Sequence, residues 1–133
     1  MDYLQRLTDE QLLALLIAGE ADNQTLAGQV AVTCTVVERL RRQRPHYGLT
    51  LREVMLKPWQ YSTFNDNHWQ RFTQRIPVYE TMARLAIANL LRSPVSGATH
   101  YHTHDLQPRP TWTQPQYSTQ LGRVGDHVFY LEK

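Results

Sequence analysis

Apolar residues recur at helical spacing in the first half of the chain. Leucine, isoleucine and alanine fill positions 12–18, and Thr8 and Gln11 have the spacing of a capping box, so we predict a helix that begins at Thr8. A second helix is predicted to begin within residues 23–25 and to end before Pro45. Because its apolar residues cover so much of its surface, we expect this second helix to be a central helix and not a surface one.

Two further helical patterns lie between this region and the C-terminal part of the chain. Residues 51–56 form a short helix, with Thr50 as its predicted cap. A longer helix is predicted from Val78 to Leu91, because Pro77 is a favourable first residue.

The pattern changes from helical spacing to alternation after Gly97. Residues 98–104, ATHYHTH, alternate as a half-buried strand does, and residues 124–133, VGDHVFYLEK, have the pattern of a final strand. Between them, LQPRPTWTQPQ contains three prolines and is predicted to be a loop. We therefore predict an α+β fold for residues 1–133. It is a single, mostly helical domain with a small antiparallel sheet near the C-terminus, formed by a hairpin with a long loop.

Composition and charge exclude several classes of protein. The net charge of +2 is too small to indicate a nucleic-acid-binding protein, although a mildly basic protein suits an anionic polymer such as a bacterial wall. Cys34 is the only cysteine, so no internal disulfide is possible. The longest apolar run is too short to span a bilayer, and the N-terminal sequence lacks the pattern of a signal peptide. We expect a monomer that is made in the cytoplasm and does not insert into a membrane.

One carboxylate, Glu20, lies between two strongly apolar helical patterns, in the segment LLALLIAGEADNQTLAGQVAV. Such a residue can simply lie on the exposed side of a helix end. Here the junction is predicted to be close to the core, where a carboxyl group against apolar walls can keep a proton near neutral pH. A general acid requires this property, so Glu20 is the candidate catalytic residue.

Three histidines on one face of a predicted strand, His100, His102 and His104, allow two interpretations. Histidines at this spacing can share a metal ion. However, no cysteine lies nearby and Asp105 is the only adjacent carboxylate, so a polar face that lines a cleft or meets solvent is favoured over a metal site.

Aromatic residues beside amides and hydroxyls suggest a cleft for sugar rings. Tyr61 lies between Gln60 and Ser62, and Trp112 lies in the proline-rich loop. Ring faces pack against the C–H groups of a sugar, and polar side chains bind its hydroxyl and acetamido groups. Any one of these rings could equally belong to the core.

Six short segments follow one another along nearly the whole chain: Gly19-Glu20-Ala21, Gly28-Gln29-Val30-Ala31-Val32, Trp59-Gln60-Tyr61-Ser62, Gly97-Ala98-Thr99-His100-Tyr101, Pro110 with Trp112, and Gly125-Asp126-His127-Val128-Phe129-Tyr130. In this order they resemble the SleB-type cell-wall hydrolases, whose founding members are spore cortex-lytic enzymes. Two segments depart from the family pattern: Asp22-Asn23-Gln24 replaces Arg-Gly-Glu, and Glu38-Arg39 replaces Asn-Arg.

The resemblance implies a lysozyme-like α+β fold and a lytic transglycosylase that cleaves the glycan strand of peptidoglycan without a metal or other cofactor. The family's catalytic glutamate falls on Glu20. Its cleft-lining segments fall on Gln60, Tyr61, Ser62, His100, Tyr101, His102, Trp112 and His127.

A single good carboxylate agrees with transglycosylase chemistry, whereas glycosidases usually employ two. Three alternatives stay open at this point. A hydrolytic muramidase would need a positioned water or a second carboxylate such as Asp22 or Asp126, and a zinc amidase would use the three histidines. A non-catalytic module would bind glycan without cleaving it.

The apparent lack of an export signal suggests a biological role. A bare catalytic domain of this kind is typical of a phage or prophage lysin that a separate membrane pore, a holin, releases to the cell wall. The alternative is a piece of a longer enzyme.

Overall fold

The computed structural model describes residues 2–133 and confirms the predicted α+β class. In these residues the α-helices are α1 (Tyr3–Arg6), α2 (Asp9–Ala21), α3 (Leu26–Arg42), α4 (Leu51–Leu56) and α5 (Ile76–Ile87). The strands are β1 (His100–Thr103), β2 (Ser118–Val124) and β3 (His127–Glu132). Short 3₁₀ helices lie at Ser62–Phe64, Asn67–Arg75 and Thr111–Thr113.

Side-chain caps begin α2, α3 and α4 where the sequence predicts them. Thr8 and Gln11 form a reciprocal capping box at the start of α2. The Thr25 hydroxyl accepts a hydrogen bond from the backbone at the start of α3, and Thr50 does the same for α4. Each cap satisfies backbone N–H groups that have no partner inside the helix.

The predicted end of α5 is wrong by four residues. The helix ends at Ile87 and not at Leu91. Asn89 has a φ of 60°, in the left-handed region, and asparagine tolerates this conformation better than most residues do. A residue in that conformation cannot continue a right-handed helix.

α2 is the most deeply buried helix. Every residue from Leu12 to Ala18 is at most 1% exposed, and α2 is contacted by α3, α4, α5 and two of the 3₁₀ helices. α3 is also a central helix, as the sequence predicts, because every residue from Gly28 to Leu40 is buried or half-buried. Its first turn is more open, and Leu26 is 69% exposed there.

The sheet has the order β1-β3-β2, with antiparallel neighbours. The predicted pairing of the His100 strand with the last strand is confirmed, since His100 pairs with Tyr130. β2 was not predicted, and Val124 ends β2 and does not begin the final strand. The tight hairpin therefore joins β2 to β3 through Gly125 and Asp126. Gly125 has a φ of 58° at the first position of this two-residue turn, as a type II′ turn requires.

These elements bring three distant segments together at one place. The last turn of α2, the 3₁₀ helix Ser62–Phe64 and strand β1 meet around the side chain of Glu20. Among residues 2–133, no helix is both long and apolar enough to cross a bilayer.

Candidate active site

The carboxylate of Glu20 accepts four hydrogen bonds from residues of two other segments. Its Oε2 atom accepts from the Ser62 hydroxyl at 2.9 Å, the Thr63 backbone N–H at 2.9 Å and the Thr63 hydroxyl at 2.6 Å. Its Oε1 atom accepts from the Tyr101 hydroxyl. Glu20 itself is only partly buried, so the carboxyl group is fixed in orientation and still reachable.

A glycine next to Glu20 allows this close approach. A Cβ atom at Gly19 would lie 2.2 Å from Oγ1 and 2.4 Å from Cγ2 of Thr63. Real Cβ contacts are never this short, so only glycine lets Thr63 pack against the last turn of α2. Thr63 is completely buried there, which places its hydroxyl and its N–H directly on Glu20.

The environment of Glu20 differs from the one that the sequence predicts. We expected apolar walls, and the structure shows four polar donors on the two carboxyl oxygens. Three of these donors are hydroxyls, which can also accept a hydrogen bond, whereas the N–H of Thr63 can only donate. The cradle therefore holds Glu20 in one orientation whether the carboxyl group is ionised or protonated.

Tyr101 keeps its proton in this arrangement. Burial raises the pKa of its hydroxyl well above the ordinary value, and the negative charge of Glu20 acts in the same direction. Tyr101 packs on its other sides against Phe129 and His127. Its hydroxyl is thus a permanent hydrogen-bonding group for Glu20 in the neutral pH range.

Two adjoining pockets form a cleft that opens beside Glu20. The first, of about 330 Å³, is lined by Glu20, Arg39, Trp59, Gln60, Ser62, Asn65, Tyr101, His102, Thr103 and Leu106. The second, of about 270 Å³, is lined by Arg39, Trp59, Gln60, His100, Tyr101 and Trp112. The cleft therefore runs between the helical part and strand β1, and Gln60 and Tyr101 contribute to both pockets.

Most of the predicted substrate-binding residues lie in this cleft. Those that line it are Gln60, Ser62, His100, Tyr101, His102 and Trp112. Trp112 packs over His100, with ring centroids 4.8 Å apart, and meets Tyr130 edge to face at 5.2 Å. Their contact with a substrate stays a prediction, but the structure brings them together around one open space.

Two of the predicted residues do not line the cleft. Tyr61 is 1% exposed and its hydroxyl is 3.0 Å from that of Thr35 in the core. His127 is 5% exposed and lies behind Tyr101, with ring centroids 4.9 Å apart. The structure therefore gives no basis for direct contact of either side chain with a substrate. Each of the two side chains packs behind the residues that line the cleft.

The three histidines do not form a metal centre. His100 and His102 share a face of β1, but His104 lies beyond the end of the strand. Both ring nitrogens of His102 are within hydrogen-bond distance of protein oxygens, Thr103 O at 2.7 Å and Tyr130 Oη at 2.9 Å. In the described part of the chain, no group of three or more His, Cys, Asp or Glu side chains could hold a metal ion.

A second carboxylate is absent from the described lining of the two pockets. Asp22 accepts hydrogen bonds from Tyr79 and Arg75 instead, and these bonds hold the pKa of Asp22 below its usual value despite partial burial. Asp126 lies in the β2–β3 turn and accepts from Gln24 at 3.0 Å. Both carboxylates that the sequence offers to a muramidase are therefore engaged elsewhere.

Sequence reasoning missed six residues that shape the site: Arg39, Trp59, Thr63, Asn65, Thr103 and Leu106. Trp59 is 82% exposed and has a φ of 66°, with its backbone N–H held by the Asn65 side chain at 2.9 Å. An exposed tryptophan in a left-handed conformation is unusual. The sequence signal for Trp59 was its place beside Gln60 in the segment Trp59-Gln60-Tyr61-Ser62. The signal for Thr63 was Gly19, whose role appears only in three dimensions.

The lowered pKa of His100 predicts how the stability of the protein depends on pH. Burial lowers the pKa of His100 to about 4, and the positive charge of Arg39 adds to this effect, although Glu132 opposes it. In the unfolded chain His100 therefore binds a proton below about pH 6.5, whereas in the folded chain it binds this proton only near pH 4. The free energy of unfolding should fall by up to about 3 kcal/mol from this group as the pH drops through that range.

Denaturant unfolding of the wild type and of His100→Gln at pH 7.5 and pH 4.5 measures this effect. We expect the wild type to lose more stability than the variant between the two pH values. Equal losses would show that His100 titrates normally in the folded protein.

Comparisons with known proteins agree with this fold. A family model described as Cell Wall Hydrolase matches residues 23–130, a segment that begins just after Glu20. The chain is 29% identical over 124 residues to a spore cortex-lytic enzyme of Halalkalibacterium halodurans, an alignment that covers 91% of this chain and 34% of that protein. The chain thus spans about a third of the length of this curated relative.

Two solved structures are similar to the whole domain. The catalytic domain of the germination-specific lytic transglycosylase SleB from Bacillus anthracis has a TM-score of 0.71 at 22% identity, covering 92% of this chain and 93% of that one. The catalytic domain of the Bacillus cereus SleB protein has a TM-score of 0.70 at 23% identity, covering 92% and 88%. These likenesses show the fold, and with the family match they confirm the resemblance that the sequence predicts.

Proposed function

The chain belongs to the Cell Wall Hydrolase family, and on that premise we propose that it cleaves the glycan strand of peptidoglycan as a lytic transglycosylase. Glu20 is the single acid and base of this reaction. The observation that carries the proposal is the cradle of four hydrogen bonds that fixes Glu20 in a cleft whose described lining contains no other carboxylate. The names of the relatives, a spore cortex-lytic enzyme and a lytic transglycosylase, support the same reaction class.

In the proposed reaction one proton leaves Glu20 and one returns. Protonated Glu20 donates to the glycosidic oxygen between N-acetylmuramic acid and N-acetylglucosamine, and the bond from C1 of the muramic acid to that oxygen breaks. The resulting carboxylate takes the proton of the C6 hydroxyl of the same muramic acid, and O6 bonds to C1. The products are a 1,6-anhydro end and a free hydroxyl on the departing sugar, and no water is consumed.

The hydroxyls around Glu20 suit both steps. Ser62, Thr63 and Tyr101 can hold the carboxyl group when it carries a proton and when it does not. A fixed carboxyl group reaches the glycosidic oxygen and the C6 hydroxyl without reorientation, which lowers the entropic part of the barrier.

Mass spectrometry of purified peptidoglycan after digestion tests this function. We expect muropeptides that end in 1,6-anhydro-muramic acid. Ordinary reducing ends would instead indicate a hydrolytic muramidase, and free stem peptides would indicate an amidase. Binding without any product would make the domain a non-catalytic wall-binding module.

Trp59 is predicted to act as a platform for a sugar ring. Because its side chain is 82% exposed, Trp59→Ala should leave the melting temperature nearly unchanged. Loss of ring packing should weaken binding to insoluble walls by about fivefold to tenfold. Tyr117→Ala, which removes another exposed aromatic ring outside the cleft, is the matched control. An equal effect of both substitutions on wall binding would exclude a specific role for Trp59.

A further inference from the structure

The side-chain amide of Gln60 has a defined orientation in the cleft. An N–H of the Arg39 guanidinium donates to Oε1 of Gln60 at 2.8 Å. A guanidinium group has only donors, so the oxygen of the amide must face Arg39 and the NH₂ group must face away from it. The usual ambiguity between the oxygen and the nitrogen of a glutamine therefore does not arise here.

Arg39 cannot easily swing away from this position. It is 3% exposed, and its Nε–H donates to the backbone oxygen of Thr99 at 2.6 Å. The guanidinium carbon also lies 4.8 Å from the centre of the Tyr61 ring and 5.4 Å from that of Tyr47. A planar group held by hydrogen bonds and by two rings fixes the amide of Gln60 in turn.

The NH₂ group of Gln60 is a free donor among the described residues. Gln60 lines both pockets of the cleft, and its Nε2 atom donates to no residue in the range 2–133. The nearby ring nitrogens of His102 are both engaged with protein oxygens. A ligand in this part of the cleft thus meets two unused N–H groups, which require an acceptor oxygen.

We propose that Gln60 is a specificity-determining residue that donates a hydrogen bond to the carbonyl oxygen of a 2-acetamido group of the glycan strand. This inference rests on the proposed function, since both sugars of peptidoglycan carry that group. The rings of Trp59 and Trp112 line the same pocket and offer apolar surface to the acetamido methyl group. A neutral carbonyl oxygen suits the site better than a carboxylate, because Arg39 is nearly inaccessible and already bonded to Thr99 and Gln60.

Cleavage of chemically matched walls tests the inference. Peptidoglycan is used in three forms: fully N-acetylated, de-N-acetylated, and de-N-acetylated and then re-N-acetylated with acetic anhydride. We expect the wild type to cleave the de-N-acetylated walls on the order of tenfold more slowly, because the glycan then lacks the carbonyl oxygen that accepts from Gln60. Its rate should recover on the re-acetylated walls.

Two variants locate the effect at Gln60. Gln60→Glu keeps an acceptor oxygen for Arg39, so the variant should fold with an unchanged or higher melting temperature, but it presents an oxygen in place of NH₂ to the ligand. Its rate on fully acetylated walls should fall on the order of tenfold, and its preference for acetylated walls should disappear. Gln70→Glu introduces the same charge at an exposed residue outside the cleft and should behave as the wild type.

Two outcomes would overturn the inference. One is that the wild type cleaves acetylated and de-N-acetylated walls at equal rates. The other is that Gln60→Glu keeps the full preference for acetylated walls. If the wild type releases no glycan product from fully acetylated walls, the proposed function itself fails and the inference falls with it. Walls de-N-acetylated only at glucosamine identify the sugar: a full loss of rate assigns the contact to N-acetylglucosamine, and a full rate assigns it to N-acetylmuramic acid.

Discussion

Glu20→Gln is expected to abolish cleavage of peptidoglycan while the protein keeps its fold. The glutamine oxygen can accept the hydrogen bonds of Ser62 and Thr63, and its NH₂ group can donate to the Tyr101 hydroxyl, which then accepts. The amide cannot deliver a proton to a glycosidic oxygen. General acid–base catalysis contributes typically about 10²–10⁴-fold to a rate, so cleavage should fall at least about a hundredfold.

Release of soluble muropeptides and the melting temperature measure these two effects. Glu80→Gln makes the same chemical change away from the cleft and serves as the matched control, for which we expect wild-type rates. A Glu20→Gln protein that melts normally and still cleaves walls at the wild-type rate would show that another group is the acid.

Gly19→Ala is expected to lower both stability and activity, although alanine is the better helix former. Glycine to alanine in a helix is worth about 1 kcal/mol in propensity. Here the new methyl group would lie 2.2 Å from Oγ1, 2.4 Å from Cγ2 and 2.8 Å from Cβ of Thr63. Rotation of Thr63 cannot relieve the contact with its own Cβ, so its backbone must move. Such overpacking costs about 1–3 kcal/mol and outweighs the propensity.

The same displacement would disturb Glu20, the proposed catalytic group. Two of the four hydrogen bonds to Glu20 come from Thr63. A shift of about 1 Å in a catalytic group can cost about a hundredfold in rate, so the loss of activity should exceed what the loss of stability explains.

Denaturant unfolding and initial cleavage rates at a temperature well below the midpoint separate these effects. Gly28→Ala is the control in another helix, where the nearest side-chain atom, Cβ of Gln24, lies 3.1 Å from the new methyl group. We expect an unchanged cleavage rate for Gly28→Ala. A Gly19→Ala protein that is more stable than the wild type and equally active would contradict the role of this glycine.

The local signals in the sequence were reliable where a few neighbouring residues decide the structure. Capping at Thr8 and Thr50 depends on backbone groups three residues away, and both caps are present. The hairpin was missed although its signal is also local. Gly125-Asp126 between two alternating segments is a two-residue turn signal, and Val124 was instead counted with the strand after it.

The position of Glu20 at the end of an apolar helix made it a candidate from the sequence, but its environment was misjudged. Its partners Ser62, Thr63 and Tyr101 lie 42, 43 and 81 residues further along the chain. Nothing in the pattern around Glu20 indicates that hydroxyls rather than apolar groups will surround it, because these contacts form only when α2, a 3₁₀ helix and β1 pack together.

By itself, the sequence determined the α+β class, the starts of α2, α3 and α4, the pairing of β1 with the last strand, the family and the candidate glutamate. The tertiary structure alone decided which neighbours of a motif face the cleft. In Gln60-Tyr61-Ser62 the amide and the hydroxyl lie in the cleft and the ring lies in the core. Side-chain direction in such an irregular segment has no fixed period, so it follows from long-range partners such as Arg39 and Thr35, which the chain meets only after folding.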